Sequence, residues 1–485
     1  MKTNRVIKIF LASSEELEAD RYRFGNLIRK LDNIYEKRGI RIELFEWEDY
    51  DAAYNGMRKQ DEYNERVRAS DMFLALFHKK AGKFTIEEFN IARKAFDEQA
   101  SPKIYTYIKD LEAGESESRE LAEFKRLMLE ELGHYWCRYS NFDTMQLHFV
   151  LQLQMVEATT PIKVEVKESQ VKIGDSTIAD LNNVPFTSEN ATHRELQSRK
   201  EQLDREIGNA ESGGRRGFFG QRSRTTDEEL ANLREERESV TEQIERQEKA
   251  LVDTAMSIAR MQGGECSPRM RTAAELFEKG EIDKAGAVLK EDDMEADATN
   301  AKLKFDTAAQ PTAELTRNIE RCAGEYMLKA RIVVSGIADE SRYRQAVKLM
   351  STAIDLVSGR LPEETLAEYL FDYAVLLTDV GQQTKALETW ERLSGIYERL
   401  YRKAPQKYAY GYAGVLNNMA VLYSDKGDFD HCLSKYLKAV DIYDRLDREG
   451  PGIYDDDIAR LKNNLGTLYS CLLYTSPSPR DISGS

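Results

Sequence analysis

The sequence predicts a multidomain protein of the α/β plus all-α class, with the α/β part first. Three observations predict it. The chain has 485 residues, which is more than one hydrophobic core usually serves. Short apolar runs alternate with amphipathic helical patterns as far as about residue 157. Charged helical patterns then dominate from about residue 194 onwards.

The first domain, 1–157, is predicted from four strands that alternate with helical patterns. The strands are expected at 5–12, 40–47, 71–77 and 103–108. Such alternation indicates a parallel sheet covered on both faces, with ligands bound outside the carboxyl ends of the strands. Ser13 followed by Glu16 fits a capping box, which would begin the first helix beside the end of the first strand.

Two segments of different character follow. Residues 158–193 are predicted to be a β-hairpin connector, because polar and apolar residues alternate through IKVEVKESQVKIG. Residues 194–262 carry apolar residues in a seven-residue pattern, which predicts a charged coiled coil or helical hairpin interrupted by a Gly-rich loop at 213–220. A rigid spacer and an oligomerisation helix are both compatible with this pattern.

Composition excludes several classes of protein. No apolar stretch approaches the roughly 18 residues that a membrane span needs, and the N-terminus becomes charged too early for a signal peptide, so a cytoplasmic location is expected. The net charge of -15 argues against nucleic-acid binding. One basic cluster is a candidate exception, although such a cluster in a Gly-rich connection is more often a solvated loop; it comprises Arg215, Arg216, Arg222 and Arg224, with Phe218 and Phe219 between them.

Cysteine and histidine residues offer little chemistry. The five cysteines occur singly, which suits reduced cytosolic thiols better than a disulfide framework. The five histidines show no useful spacing and are interpreted as structural or surface residues, and no metal site is expected. Any catalysis is therefore expected to depend on carboxylates.

The C-terminal region, 265–470, contains an internal repeat. Ala374, Ala420 and Gly466 recur at an interval of 46 residues, and Gly381 and Gly427 keep the same interval. Small residues let helices approach closely, and the glycine turns the chain between them. This pattern resembles TPR repeats of a long variety, which implies an α-solenoid whose concave surface binds a protein or a small-molecule trigger.

Residues 471–485 share neither the pattern nor the charge of the repeats. They resemble a translated sequencing adapter and are interpreted as a non-native tail. The repeat array is accordingly expected to end near residue 470.

The order of the segments FLASS, ELFEWEDY, MFLALF and FTIEEFNIA resembles a bacterial TIR domain over residues 1–155. The resemblance implies a flavodoxin-like parallel sheet. Catalytic TIR domains cleave NAD between nicotinamide and ribose, using a glutamate in the helix after the third strand. The family pattern is tryptophan, three residues, glutamate and an apolar residue. Glu88 would be that catalytic glutamate, Phe84 stands where tryptophan is usual, and Glu87 is the alternative carboxylate.

The same resemblance implies where NAD binds as substrate; no permanently bound cofactor is expected. Residues at the ends of the first two strands and at the start of the helix would line the nucleotide site: Ala12, Ser13, Ser14, Trp47, Tyr54 and Phe84. A carboxylate near the ribose would stabilise the positive charge that develops as nicotinamide leaves. Trp47 also fits a core position, and Arg66 and Arg68 fit either phosphate attraction or a solvated helix face.

Three functions follow from these patterns. The first is an NAD glycohydrolase or cyclase in bacterial stress or anti-phage signalling, which self-associates through the TIR-like domain and is regulated through the repeats. The second is a non-catalytic adaptor that joins partner proteins. The third is a sensor that binds a nucleotide without cleaving it.

Overall fold

The computed structural model describes residues 5–46, 59–131, 136–156, 164–213, 227–261, 266–336, 340–449 and 452–475. The chain forms two compact units: the first comprises Met1–Val156, Ile162–Leu289 and Arg331–Ala338, and the second comprises Glu157–Pro161, Lys290–Ala330 and Asp339–Ser485. An α/β sheet region precedes a long helical region, so the predicted class is confirmed. Trp47, Tyr54 and the basic cluster at 215–224 lie outside the described residues.

Five parallel strands form the sheet of the first unit. They are β1 (Arg5–Ser13), β2 (Ile40–Phe45), β3 (Met72–Phe77), β4 (Lys103–Lys109) and β5 (Cys137–Tyr139). The spatial order is β2-β1-β3-β4-β5, which confirms the flavodoxin-like arrangement. All six residues of β3 are buried, as expected of a central parallel strand. The sequence patterns did not predict β5.

Helices cover both faces of this sheet. They are α1 (Glu18–Glu36), α2 (Lys59–Arg68), α3 (Lys83–Gln99), α4 (Arg119–Arg126), which continues as a π-helical turn over Leu127–Glu131, and α5 (Phe142–Val156). On one face α1 and α5 meet through Phe24 and Phe149, whose ring centroids are 4.7 Å apart. On the other face α2, α3 and α4 enclose a second core. There Phe89 contacts Phe124 edge-on at 5.0 Å.

The predicted capping box is wrong. A 3₁₀ turn, Glu15–Leu17, precedes α1, and the N-cap residue Leu17 provides no side-chain hydrogen bond. The Glu16 carboxylate instead accepts hydrogen bonds from Ser14 and from the loop after β3. A carboxylate that accepts hydrogen bonds from the backbone N–H groups of the loop after β3 is not available to cap its own helix.

The predicted β-hairpin is part of a three-stranded antiparallel sheet. Its strands are β6 (Glu165–Lys167), β7 (Gln170–Ile173) and β8 (Ser176–Asp180), in that spatial order. The third strand gives the sheet a buried apolar side, to which Val171 and Ile178 contribute. The short helix α6 (Pro185–Ser188) follows.

The charged segment forms a helical hairpin of α7 (Ala191–Gly213) and α8 (Asp227–Met261). Apolar residues line the seam between the two helices: Leu196, Leu203, Leu233, Val240 and Ile244. Ion pairs flank it, including Arg237 with Asp204 at 2.7 Å. The seven-residue pattern is therefore satisfied within this chain.

The remaining described helices complete the two units. The first unit contains α9 (Pro268–Glu278) and α10 (Ile282–Val288), and α11 (Glu291–Thr307) belongs to the second. Then follow α12 (Ala313–Ser335), α13 (Glu340–Val357), α14 (Glu363–Asp379), α15 (Gln383–Lys403), α16 (Pro405–Asp425), α17 (Phe429–Glu449) and α18 (Asp455–Thr475). None of the helices in the described ranges has the length and apolar character to cross a membrane.

Helices α14 to α18 form the repeats, and each packs on its neighbour in sequence. Ala374 and Ala420 are fully buried in α14 and α16, while Gly381 and Gly427 adopt φ values of 71° and 74° between helices. Trp390 is 1% exposed and donates its indole N–H to Thr378 Oγ1 at 3.2 Å. Each 46-residue period thus covers two helices. Helix α18 extends to Thr475, past the predicted limit of 470.

Candidate functional site

The carboxyl ends of β1 and β3 define the candidate site. The chain passes from β1 to β2 on one side and then crosses to β3 on the other side of β1. Such a reversal of strand order opens a crevice, where ligands bind in open α/β sheets. Ser13 is the last residue of β1, so Ser13 and Ser14 lie at this crevice. Ala12 is 2% exposed and its side chain belongs to the core, so only its backbone is placed to line a site.

Arg21 holds the turn that follows β1. Its side chain, 2% exposed, comes from α1, and Nη1 donates to Ser13 Oγ and to the Ser14 carbonyl oxygen, both at 2.9 Å. Charge-assisted hydrogen bonds from a buried guanidinium fix this turn firmly. The sequence analysis missed Arg21. An arginine within the apolar stripe of a helix, next to positions such as Phe24, is the signal that would have revealed it.

Glu16 joins the turn after β1 to the loop after β3. Its Oε1 accepts hydrogen bonds from the backbone N–H of Lys79 at 3.0 Å and of Lys80 at 3.2 Å. Lys79 Nζ in turn lies 2.5 Å from Glu115, and this hydrogen bond lowers the pKa of the Glu115 carboxyl. His78 Nε2 lies 3.2 Å from the other carboxylate oxygen of Glu115. The loop that leads from β3 to α3 is therefore held from two sides.

Asp20 connects α1 to the ends of β4 and β5. It is 4% exposed, accepts a hydrogen bond from Lys109 Nζ at 2.9 Å and accepts another from the Tyr139 hydroxyl at 3.0 Å. Burial, and after it the nearby Asp20 charge, raises the pKa of Tyr139, which therefore acts as a hydrogen-bond donor. Asp20 is thus engaged in holding the edge of the sheet together.

Helix α3 carries the predicted catalytic carboxylate. Glu88 is 8% exposed and lies on the buried stripe of α3 with Thr85 and Ala92. Carboxylates are rarely buried to this degree in a structural helix, because removing the charge from water is costly. Phe84, one helical turn earlier, is 56% exposed. Its ring is therefore outside the core, at the end of α3 nearest the crevice.

The other predicted residues have separate positions. Glu87 Oε1 accepts a hydrogen bond from Asn64 Nδ2 at 3.2 Å, which connects α3 to α2. The Arg66 guanidinium lies over the Phe45 ring, 4.9 Å from its centroid, at the end of β2. Arg68 is exposed at the end of α2. The structure thus brings Ser13 and Ser14 together with Arg21 and Glu16.

Comparisons with known proteins leave the family open. No protein-family profile matches the chain, and no curated protein sequence is similar to it. One similar solved structure is a signal transduction ATPase with numerous domains, with a tetratricopeptide repeat sensor, from Pyrococcus horikoshii. It is 11% identical and has a TM-score of 0.23, with 93% of this chain and 83% of that chain covered. A TM-score this low supports no inference about fold or function.

Proposed function

We propose that the N-terminal α/β domain is a TIR-like domain that cleaves NAD, with Glu88 as the catalytic carboxylate. The observation that carries this proposal is the burial of Glu88, at 8% exposure, on the helix that follows β3 in a flavodoxin-like sheet. The position agrees with the TIR pattern that the sequence resembles. Exposed Phe84 supports the proposal, since an aromatic ring beside the crevice offers a surface on which a planar ring of NAD can stack.

The chemistry requires only one well-placed carboxylate. Nicotinamide leaves as a neutral molecule when the bond between its ring nitrogen and the ribose carbon breaks, and the positive charge passes to the ribose. A carboxylate held close to that ribose stabilises the cationic transition state, and more strongly where water is excluded. Addition of water and loss of a proton then gives ADP-ribose, whereas attack by a nitrogen of the adenine gives a cyclic product.

The residues around the crevice have supporting roles in this proposal. Arg21 fixes the turn containing Ser13 and Ser14, which would contact the nucleotide through hydroxyl and backbone groups. Glu16 fixes the loop that leads to α3 and hence the position of Glu88. Rigid placement matters because a misplaced carboxylate loses most of its effect on the rate.

The rest of the chain would regulate the domain. We assign the stacked helices α14–α18 to a TPR-like array that binds a protein or small-molecule trigger, and we expect TIR-like domains of neighbouring copies to associate. A role in bacterial stress or anti-phage signalling fits this organisation, since loss of NAD would arrest the cell. The cytoplasm, where NAD is plentiful, is the expected location.

Chromatography of NAD and its products tests the proposal. Purified full-length protein, dilute or concentrated and artificially clustered through a fused tag, is incubated with NAD, and nicotinamide, ADP-ribose and cyclic products are quantified. We expect nicotinamide release that increases with clustering and is lost in Glu88→Ala. NAD that remains intact in every clustered state of a folded protein would contradict the enzymatic function.

A non-catalytic adaptor is the second candidate, and the departure from the usual tryptophan at position 84 favours it. In that case the α/β domain would only bind other such domains while the repeats recruit a partner. Clustered protein would then leave NAD intact, while self-association would persist in Glu88→Ala. A nucleotide sensor would differ from both, because NAD would raise the melting temperature without any product being formed.

A further inference from the structure

Besides the crevice at β1 and β3, the first unit contains a cavity beside the β5 edge of the sheet, which we call the second cavity. Its volume is about 450 Å³, within the range of small-molecule sites. One wall comes from β5 and α5, including Trp136 and Leu151, and the other from α6, α8 and α9. The aromatic rings of Phe186 and Phe277 stack at 5.4 Å between centroids in the second wall. The cavity is therefore largely apolar and partly aromatic.

The charged groups of the cavity leave an excess of negative charge. Asp110 is paired with Arg138, whose Nη2 lies 2.6 Å from its carboxylate. Of the other lining carboxylates, Glu189 lies 3.6 Å from Arg194. Glu275 and Glu278, both on α9, have Lys279 as the one lining cation besides Arg138. Two carboxylates and aromatic rings around an apolar space match the chemistry that recognises an organic cation.

The surroundings of Glu278 disfavour its ionised form. Burial, followed by the charge of Glu275, raises the pKa of Glu278 to about 7, although Arg138 and Lys279 oppose the shift. Burial, followed by the charges of Glu278 and Asp110, also raises the pKa of the Cys137 thiol. A bound cation would relieve this repulsion, and its binding would favour the ionised form of Glu278.

The wall formed by α6 and α9 is firmly built. Gly280, which follows α9, has a φ of 78°, and a Cβ placed there would lie 2.7 Å from the carbonyl oxygen of Pro185 and 2.9 Å from Glu189. The two elements are therefore in direct backbone contact. Close packing of this kind keeps a cavity open for a ligand at little cost in reorganisation.

We propose that this cavity binds a small organic monocation with an aromatic or apolar body, held by Glu278 and Glu275 at one end and by Trp136 and Phe186 around the body, with buried Phe277 supporting Phe186. The site is separate from the crevice at β1 and β3. It joins the edge of the α/β sheet to the helices that follow it in the first unit, so a bound cation would couple these elements. A small amine is the class of ligand that it fits.

Calorimetric titration of the full-length protein at pH 8 tests the site. The probe is tryptamine, which is an ammonium ion at this pH. The neutral control is 2-(indol-3-yl)ethanol and the anionic control is indole-3-propionate. We expect tryptamine to bind at least tenfold more tightly than either control. Equal binding of the neutral or anionic compound, or no binding of the ammonium at millimolar concentration, would overturn the proposal.

Two variants locate the binding. Glu278→Gln keeps the shape of the side chain and removes its charge, so we expect affinity for the ammonium to fall about tenfold or more. Ala255→Phe fills the cavity from α8 and should abolish binding while the circular dichroism spectrum is retained. Glu235→Gln, an exposed carboxylate on α8, is the matched control and should bind like wild type. Unchanged affinity in Glu278→Gln would overturn the assignment, independently of any NAD assay.

Discussion

Glu16 Oε1 accepts a hydrogen bond from the backbone N–H of Lys79 at 3.0 Å, which connects the end of β1 to the loop after β3 across the candidate crevice. This contact spans 63 residues of sequence and replaces the helix cap that the local pattern predicts. The same carboxylate oxygen also accepts from Lys80. Glu16 thus holds the loop before α3 from the side of β1, and contributes to the position of Glu88.

Substitution of Glu16 tests this link. We expect Glu16→Ala to lower kcat/KM for NAD by about tenfold, equivalent to about 1.4 kcal/mol, because the loop loses two charge-assisted hydrogen bonds. Glu16→Gln retains an oxygen acceptor and should keep most of the activity. Steady-state rates with thermal melts separate activity from stability. Equal rates in Glu16→Ala and wild type would mean that the crevice does not depend on this contact.

Gly280 provides a test of the packing between α6 and α9. We expect Gly280→Ala to destabilise the first unit by about 3 kcal/mol or more, because the new methyl group adds a backbone clash to the strain of a positive φ. Gly174→Ala, in the same unit, has a φ of 54° but nothing within 4 Å of the added Cβ, so it isolates the strain alone. Urea denaturation of both variants checks the difference. Equal losses would show that the neighbouring backbone yields without cost.

A buried hydrogen bond between His193 of α7 and Glu248 of α8 joins the two helices of the hairpin, and Ser169, in the turn between β6 and β7, connects the three-stranded sheet to it. His193 Nε2 lies 2.9 Å from Glu248 Oε1, which also accepts a hydrogen bond from Ser169 at 2.6 Å, and both partners of the pair are at most 3% exposed. Removal of either partner leaves a buried polar group unsatisfied, so Glu248→Ala and His193→Ala should each cost about 3 kcal/mol. The double variant should cost less than the sum by at least about 1 kcal/mol. Strict additivity in denaturant titrations would contradict the coupling.

Glu278 predicts a specific dependence of stability on pH. Because its folded pKa of about 7 lies above the ordinary value of 4.5, its favourable contribution is complete below pH 4.5 and is lost as pH rises through 7. Glu278→Gln should therefore match wild type at pH 4.5 and melt higher above pH 7, by about 2 to 4 °C. Glu275→Gln, which removes the exposed neighbouring charge, should shift the melting temperature less. A constant difference between Glu278→Gln and wild type from pH 4.5 to 8 would refute the prediction.

Strand periodicity was sufficient to predict most of the sheet. Apolar runs identify β1, β2, β3 and β4, because buried parallel strands are apolar over most of their length. β5 was not predicted because its three residues, Cys137–Tyr139, are too few to show a period of apolar residues. β8 was not predicted because it begins with two polar residues, Ser176 and Thr177. Only two of its five residues, Ile178 and Ala179, are buried. Strands long enough to show a period of apolar residues can be predicted from local sequence. Short strands that are stabilised mainly by neighbouring strands cannot.

Tertiary contacts explain why much of the candidate site was not predicted. Glu88 and the turn at Ser13 were expected from the family resemblance, and they lie on α3 and at the end of β1. Arg21 and Glu16 act through partners that only the folded sheet brings near. The residues of the second cavity come from segments more than 150 residues apart, such as Asp110 and Glu278, so no motif connects them.

The most direct measurement is the initial rate of nicotinamide release by clustered protein, compared between Glu88→Gln and Glu87→Gln. Both variants remove one negative charge from adjacent positions of α3, but only Glu88 is buried, and a glutamine at 87 can still accept the hydrogen bond from Asn64. The account predicts a loss of about 100-fold or more in Glu88→Gln and near wild-type rates in Glu87→Gln. Equal rates in Glu88→Gln and wild type, with both proteins folded and clustered, would contradict the assignment of Glu88 as the catalytic carboxylate.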